Sequence, residues 1–455
     1  MSTQSPAHSE RTDSGDFVRR LLRPHLAGEE PYGAPQLPAA VRLNTNENSF
    51  ELPEVVVAAI GDALTEHAAG LNRYPDREFA ALRHDLANYL SRVTNVPLSP
   101  AQIWAGNGSN EILTHIVQAF GGPRGALGFT PTYAMYPKYC LVNGTPWLDG
   151  FRGLTSDTGG PYDLDPDDAA RQVRSHDPAI VFIASPNNPS GTAVSLDVVE
   201  AVYDAAPDAI IVVDEAYGEF AREGTTSAVT LLEGRPRLVV SRTMSKAFSL
   251  AGGRVGYLAA DPEVIAGLRL VRLPYHLSTQ TQLVARAALR HADAMLVEVD
   301  TLRAQRDRIV NEVNAMGLRA VPSDANFVLF GGLADEQAVW QGLLDHGVLV
   351  RDVGLSGHLR VTAGTPQETS AFLDALRRVT SNARTVPTRQ QPATDYDELA
   401  QWAENDMTLP TNSHTALRGD VAAAAGRALL EPVTGRPRLD PTDNSQDGPS
   451  PKRQV

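Results

Sequence analysis

The sequence predicts an α/β fold, with a large domain built on a mostly parallel sheet and a smaller α+β domain. Short apolar runs alternate with amphipathic helical segments over residues 53–260. Most of these runs lack the period-two alternation of a strand with one solvated face, which indicates strands covered by helices on both faces. From about residue 261 the pattern changes to long, charged helical segments and three short strands. Such a change favours a second domain with a different layering of helices and strands.

Each segment is assigned from its periodicity and its end signals. Residues 1–30 form an arm with one short helix, whose apolar face holds Phe17, Val18, Leu21 and Leu22. Amphipathic helices are expected at 53–71 and 77–90. Six buried strands follow, with the sequences IWAG, GALGF, AIVFIAS, AIIVVDEAY, RLVVS and RVGYLAA. The second domain takes helices within 262–317, the strands NFVLFG, GVLVRD and LRVTAG, and a closing helix at 366–382 that begins with proline.

Composition and charge narrow the function. The net charge of −14 over 455 residues disfavours general affinity for nucleic acid or anionic membranes, since both are polyanions. No apolar run approaches the ~20 residues of a membrane-spanning helix, and the polar N-terminus lacks the apolar core of a secretory signal. Cys140 is the one cysteine, so we expect no intramolecular disulfide and a small buried side chain. We therefore expect a cytoplasmic protein that binds neither nucleic acid nor membrane.

Beyond about residue 385 the chain becomes polar and rich in proline, aspartate and serine. The stretch AAAAGRALLE suits one helix, but the remainder has too few apolar residues to form a core. We expect residues 386–455 to be a mostly disordered extension that the activity does not need.

A lysine follows a buried strand in the stretch SRTMSKAFSLAGGRVGY. The hydroxyls of Ser241, Thr243 and Ser245 and the guanidinium of Arg254 surround Lys246 with groups that bind phosphate. A lone lysine is usually a surface charge, but a lysine beside a phosphate site at a strand end suits a Schiff base with a carbonyl cofactor. Pyridoxal phosphate carries both groups, so this stretch predicts a pyridoxal phosphate site. No metal is expected.

Such a cofactor needs a carboxylate at its ring nitrogen. Asp214 ends a fully apolar strand, where open α/β sheets place their ligands. Tyr217, three residues later, and Asn187, after the preceding strand, are candidates for contact with the ring oxygen. Taken alone, Asp214 is better explained by capping of the next helix, and Asn187 by a common turn of proline and asparagine.

The cofactor's phosphate also requires backbone N–H donors, and its ring requires an aromatic side chain to stack on. The loop GNGSNEIL places Gly108, Ser109 and Asn110 at the start of a helix, where amides bind anions. Tyr133, in TPTYAMY, follows another strand and is placed to stack on the ring. Each signal is weak alone, since capping explains the loop and core packing explains the tyrosine.

In their order, these motifs resemble the fold-type-I pyridoxal-phosphate aminotransferases. The resemblance covers about residues 17–380 and rests on SPNNPSGT, DEAY and SRTMSKAFSLAGGRVGY. Further motifs are similar to those of actinobacterial histidinol-phosphate aminotransferases: PYGAPQ, RLNTNEN, NRYPD, GNGSNEIL, LPYHLSTQTQ, SDANFVLF and LRVTAGT. The resemblance implies a seven-stranded large domain, a small domain, and a homodimer with shared active sites. It also implies that the amino group of L-histidinol phosphate passes to 2-oxoglutarate, which gives imidazole acetol phosphate and glutamate in histidine biosynthesis.

The resemblance also implies a role for each site residue. Lys246 would bind the cofactor aldehyde, Asp214 the ring nitrogen and Tyr133 the ring face, while Asn187 and Tyr217 contact the ring oxygen. The phosphate would be held by Gly108, Ser109, Asn110, Thr243, Ser245 and Arg254, and by Tyr74 of the neighbouring subunit. The substrate would be bound by Tyr32, Asn46, Arg360 and Arg351.

Within the resemblance, residues 31–385 form the aminotransferase domain, with the large part at about 70–275 and the small part at 31–69 and 276–385. Ser49 stands where the family usually has proline, which changes the stiffness of that loop but removes no reacting group. Two alternatives stay open on the substrate: an aromatic amino-acid aminotransferase and a natural-product aminotransferase. A cofactor-binding regulator is disfavoured, because about 30 residues precede the fold and a DNA-binding module needs more.

Overall fold

A computed structural model describes residues 17–31, 33, 35–153 and 162–383 of the chain. The chain divides into two units, Met1–Val386 and Pro387–Val455. The predicted extension at 386–455, the first 16 residues of the arm and Tyr32 lie outside the described residues.

Within the described residues the strands form three sheets, and the largest of them confirms the predicted fold class. Seven strands pair in the order β2-β8-β7-β6-β5-β3-β4, with β8 antiparallel to both of its neighbours and the other pairs parallel. The strands are β1 (Val41–Arg42), β2 (Ile103–Gly106), β3 (Ala126–Thr130), β4 (Trp147–Phe151), β5 (Ile180–Ala184), β6 (Ile210–Asp214), β7 (Leu238–Thr243), β8 (Gly256–Ala260), β9 (Arg319–Ala320), β10 (Phe327–Gly331), β11 (Val348–Leu349) and β12 (His358–Thr362).

The central strands of the large sheet are buried on both faces, which explains why they carry no polar alternation. All five residues of β5 and all six of β7 are buried. The helices are α1 (Glu54–His67), α2 (Ala80–Thr94), α3 (Ser109–Phe120), α4 (Met135–Asn143), α5 (Pro166–His176), α6 (Leu196–Ala205), α7 (Pro262–Val271), α8 (Thr279–Arg290), α9 (Ala292–Met295), α10 (Val297–Ala315), α11 (Glu336–Asp345) and α12 (Pro366–Ala383). Cys140, on α4, is fully buried as expected, and burial raises the pKa of its thiol to about 12.

One strand of the large sheet has no counterpart among the predicted strands. β4 lies at the sheet edge beside β3 and has the sequence WLDGF. Its residues are mostly half-buried, and Asp149 faces solvent. An edge strand needs no continuous apolar run, so the pattern that identified the central strands missed this one.

The smaller part contains the other two sheets and a second hydrophobic cluster. Strands β12, β10 and β9 form an antiparallel sheet, and β1 pairs in parallel with β11. The sequence places the division between the two parts near residue 275. On helix α10, Val299 and Leu302 belong to the larger cluster, whereas Ile309 and Val313 belong to the smaller one. Ala325 and Phe327, later in the chain, belong to the larger cluster again. Helix α10 therefore spans both clusters, because it packs one end on each.

The arm differs from its predicted single helix. Residues 17–20 form one helical turn, and a 3-10 turn follows at Pro24–Leu26. Proline has no N–H to donate and disfavours helical backbone in the residue before it, so the helix stops short of Pro24. Phe17, Val18 and Leu21 are exposed. Among the described residues, no helix has the length and apolarity needed to cross a membrane.

Candidate active site

A cavity of about 430 Å³ opens where the carboxyl ends of β6 and β7 meet the loop before α1 and strand β12. Parallel strands end at one edge of their sheet, so residues far apart in sequence converge there. Twelve predicted site residues line the cavity: Asn46, Ser109, Asn110, Tyr133, Asp214, Tyr217, Thr243, Ser245, Lys246, Arg254, Arg351 and Arg360.

Lys246 reaches this cavity from the turn that follows β7. Its Nζ donates a hydrogen bond to the carbonyl oxygen of Thr45 at 3.0 Å. Desolvation by burial lowers the pKa of Lys246 to about 8, and the positive charges of Arg360 and Arg254 act in the same direction while Glu47 opposes them. A lysine with such a pKa is partly unprotonated near neutral pH, as attack on an aldehyde requires.

Asp214 presents a buried carboxylate with two hydroxyl partners. Ser241 Oγ donates to Oδ1 at 2.8 Å, and Tyr136 OH donates to Oδ2 at 2.8 Å. Burial raises the pKa of Asp214, and hydrogen bonds from Ser241, Tyr136 and the Ala216 amide oppose that shift. No salt bridge to Asp214 occurs within the described residues. A buried carboxylate of this kind is suited to a cationic partner, such as a protonated ring nitrogen.

A candidate phosphate cradle lies at the N-terminus of α3. Ser109 begins that helix, where unpaired amides and the helix dipole attract anions. Thr243 Oγ1 and Ser245 Oγ lie 3.0 Å apart and supply hydroxyls. Arg254 packs directly on Gly108, since a Cβ built there would lie 2.4 Å from its Nη2. Gly108 has a φ of +83°, so glycine is required at this position for both conformation and space.

The residues present therefore fit pyridoxal phosphate. The cradle supplies amides, hydroxyls and one guanidinium for the phosphate. Asp214 supplies the buried carboxylate for the ring nitrogen, and Lys246 supplies an amine of lowered pKa for the aldehyde. Tyr133 lines the same cavity and offers an aromatic ring.

Asn187 lies just behind the cavity wall. Its side chain is fully buried, and its Nδ2 donates to the carbonyl oxygen of Pro131 at 3.0 Å and to Ser190 Oγ at 2.8 Å. Its Oδ1 accepts from Thr132 Oγ1 at 3.0 Å. The neighbouring Asn188 lines the cavity instead.

Two arginines, Arg351 and Arg360, also line the cavity. Arg360, on β12, donates from Nη2 to the carbonyl oxygen of Asn44 at 2.9 Å and from Nη1 to Asn188 Oδ1. Arg351 joins the backbone of Arg360 through two hydrogen bonds of 2.9 Å. Asn46 Nδ2 donates to Tyr217 OH at 3.0 Å, which links the loop before α1 to the turn after β6.

Tyr74 lies away from the cavity. It is 80% exposed, and its ring stacks on Tyr275 with centroids 4.5 Å apart and an angle of 13°. Tyr32, also predicted for the substrate pocket, lies outside the described residues.

Sequence reasoning missed several contacts of the site. Tyr136, which bonds Asp214, stands in the quoted TPTYAMY motif but carried no predicted role. The sequence grouped the Ser241 hydroxyl with the phosphate-binding groups, but this was wrong: Ser241 is fully buried and donates to Asp214 instead. The two residues pair in register across β6 and β7, which explains their contact. Thr45 and Asn188 lie in the quoted motifs RLNTNEN and SPNNPSGT, but neither carried a predicted role.

Comparison with known proteins agrees with this geometry. The family model "Aminotransferase class I and II" matches residues 38–376. Histidinol-phosphate aminotransferase of Paenarthrobacter aurescens (strain TC1) is 58% identical over 369 residues, which covers 80% of this chain and 96% of that protein. The enzyme of Thermobifida fusca (strain YX) is 54% identical over 363 residues, with 80% and 96% covered.

A solved structure shows the same fold. Histidinol-phosphate aminotransferase from Sinorhizobium meliloti, in complex with pyridoxal-5'-phosphate, has a TM-score of 0.70 to this chain at 24% identity. The match covers 83% of this chain and 99% of that one. The chain belongs to the class I and II aminotransferases, and within that family it groups with the histidinol-phosphate aminotransferases.

Proposed function

We propose that this chain transfers the amino group of L-histidinol phosphate to 2-oxoglutarate as a step of histidine biosynthesis. One cavity supports the proposal, because it combines a lysine of lowered pKa, a phosphate cradle, a buried carboxylate and two further arginines. Because Arg254 is assigned to the cofactor phosphate, we assign Arg351 and Arg360 to an anionic substrate.

The described residues support an assignment of the cofactor contacts. Pyridoxal phosphate, when bound, accepts the amino group and delocalises the electron pair left on the substrate's α-carbon. Ser109, Asn110, Thr243, Ser245 and Arg254 would hold its phosphate. Asp214 would hold the ring nitrogen and Tyr133 the ring face, with Tyr217 at the ring oxygen. Asn187 would contact that oxygen only after its present hydrogen bonds change. If they persist, Asn187 would instead hold the cavity wall in position.

Lys246 has two roles in the proposed reaction. Its Nζ would hold the cofactor before substrate arrives. With substrate bound, the unprotonated Nζ would remove the proton from the substrate's α-carbon as a general base and then donate that proton as a general acid. The desolvated surroundings that lower the pKa of Lys246 make its unprotonated form available for this transfer near neutral pH.

Arg360 suits both halves of the reaction. A guanidinium binds phosphate or carboxylate through two parallel hydrogen bonds, so one arginine serves histidinol phosphate first and 2-oxoglutarate second. Arg351 lies beside it and adds positive charge. We expect Arg360→Gln to raise KM for both substrates, whereas Arg42→Gln, at an exposed position of β1, leaves both unchanged.

We further propose a cytoplasmic homodimer. Tyr74 and Tyr275 stack on each other yet remain exposed, and Leu71, Leu270 and Leu273 on the same two segments are exposed as well. The segments adjoin, since Arg272 Nη1 donates to the carbonyl oxygen of Arg77 at 2.7 Å. A second copy would cover these side chains and bring Tyr74 to its partner's phosphate cradle. Analytical ultracentrifugation that finds a monomer at micromolar concentration would contradict this.

A single-turnover measurement tests the function. Protein supplied with pyridoxal phosphate is mixed with L-histidinol phosphate without an amino acceptor, and the visible absorbance is followed. We expect the band of the lysine-bound cofactor to disappear and to return on addition of 2-oxoglutarate. If phenylalanine removes the band and L-histidinol phosphate does not, the aminotransferase assignment stands, but the assignment of L-histidinol phosphate as the substrate is wrong. Absence of any band would overturn the enzyme assignment.

Lys246→Ala is the matched control. This variant has no amine to attach the cofactor or move the proton, so we expect no lysine-bound band and a kcat lower by about 10³-fold or more. Turnover near that of the wild type would refute the assigned role of Lys246.

A further inference from the structure

Tyr136 touches the site but has no role in the proposed reaction so far. It lies in the first turn of α4, three residues after Tyr133, and its side chain is fully buried. Its hydroxyl donates to Asp214 Oδ2 at 2.8 Å, while Ser241 donates to the other carboxylate oxygen. The carboxylate thus receives one hydroxyl donor on each oxygen.

The ring of Tyr136 is fixed from two sides. It stacks on Phe182 of β5, with centroids 4.8 Å apart and an angle of 7°. It also meets Tyr133 edge to face at 5.4 Å and 87°. One buried side chain therefore contacts both the carboxylate assigned to the ring nitrogen and the aromatic ring assigned to the cofactor face.

We propose that Tyr136 is a positioning residue, whose hydroxyl keeps Asp214 ionised and aimed at the cofactor's ring nitrogen. The inference rests on the proposed function for the identity of the cofactor contact. A carboxylate has about four acceptor sites. The hydroxyls of Tyr136 and Ser241 and the Ala216 amide take three of them, which leaves one for the ring nitrogen.

Tyr136 is suited to this role because it remains a donor. Burial raises the pKa of Tyr136 well above its usual value, and the charge of Asp214 raises it further, so the hydroxyl keeps its proton throughout the working pH range. A neutral hydroxyl that donates to a carboxylate favours the ionised form of that carboxylate. It offsets part of the desolvation that raises the pKa of Asp214.

Tyr136→Phe tests the inference, since it removes the hydroxyl and keeps the ring stacked on Phe182. Loss of the donor raises the pKa of Asp214, so the carboxylate takes up a proton at higher pH. We expect the acid limb of the kcat profile to move up by about one pH unit and kcat at neutral pH to fall about tenfold. KM for L-histidinol phosphate should change by less than about twofold, because the substrate contacts are untouched.

A second measurement needs no substrate. The absorbance of the lysine-bound cofactor is titrated against pH in wild type and Tyr136→Phe, and the cofactor's dissociation constant is measured by equilibrium dialysis. A ring nitrogen that loses its proton draws fewer electrons from the attached nitrogen, so we expect the spectral midpoint to move to higher pH. The dissociation constant should rise about tenfold. These readouts stand even if histidinol phosphate proves to be the wrong substrate.

Tyr139→Phe is the control, because it removes another buried tyrosine hydroxyl from the same helix. We expect its spectral midpoint and kcat to match those of the wild type. An unshifted midpoint and pH profile in Tyr136→Phe would overturn the inference. A lower melting temperature without either shift would also overturn it, since that outcome indicates packing alone.

Discussion

Replacement of Arg242 by methionine tests a buried cluster of charges behind the cavity. Arg242 donates to Glu215 Oε2 from Nη2 at 2.6 Å and from Nε at 3.1 Å, and to Glu219 Oε1 from Nη1 at 3.1 Å. The three side chains are 6%, 6% and 7% exposed. Burial alone would lower the pKa of Arg242, but the two carboxylates more than offset this and raise it. The cluster ties β6 to β7 next to Asp214 and Thr243.

The structure sets the size of the expected loss. Removal of one partner from a buried ion pair lowers the free energy of unfolding by about 3–5 kcal/mol. Arg242→Met leaves two buried carboxylates without their cationic partner. Glu215 keeps hydrogen bonds from Ser227 Oγ and the Ala228 amide, both at 2.7 Å. These bonds reduce the cost of leaving its buried carboxylate without Arg242. Glu219 keeps a contact with Tyr89 OH at 3.4 Å. We therefore expect the free energy of unfolding to fall by about 4 kcal/mol.

Urea unfolding of the full chain with cofactor bound, followed by fluorescence and circular dichroism at one protein concentration, measures this loss. Coincident transitions from the two probes support a two-state free energy. Arg92→Met is the control, because the Arg92–Asp293 pair is exposed and its removal should cost about 0–1 kcal/mol. Equal losses in the two variants would refute the reasoning. Adding Glu215→Gln and Glu219→Gln to Arg242→Met should recover part of the loss, since no unpaired charge then remains.

Three further outcomes are expected. The rate at which cofactor-free protein attaches pyridoxal phosphate should rise with pH and level off above about 8, because the attack needs the unprotonated Lys246 amine. Stopped-flow absorbance measures this rate. A midpoint near 10.5 would contradict the lowered pKa of Lys246. Gly108→Ala should weaken cofactor binding about tenfold in equilibrium dialysis, because its φ of +83° and the nearby Arg254 exclude a side chain. Gly224→Ala, also at positive φ but with open space around it, should bind normally. Deletion of residues 386–455 should leave kcat/KM and sedimentation unchanged, and a loss of either would show that the extension acts in catalysis or assembly.

The site residues were predicted from the positions at which apolar runs end. A run buried on both faces identifies a central strand, and the polar residue at its carboxyl end, such as Asp214, falls at the edge where a parallel sheet binds ligands. Lys246 and Arg254 were found because several weak local signals occur together within one short stretch. Strand β4 and the end of the arm helix were missed or misplaced because an edge strand and a proline-limited helix leave weaker patterns.

By itself, the sequence determined the alternation of strands and helices, and the stretch that places Lys246 among hydroxyls and Arg254, because each depends on residues close together along the chain. Only the tertiary structure decided which distant groups meet. Arg360 reaches the carbonyl of Asn44 across 316 positions, and Tyr136 reaches Asp214 across 78. It also decided that Asn187 lies behind the wall while Asn188 faces the cavity. Burial, hydrogen-bond partners and the pKa of Lys246 all follow from these long-range contacts, and no local pattern contains them.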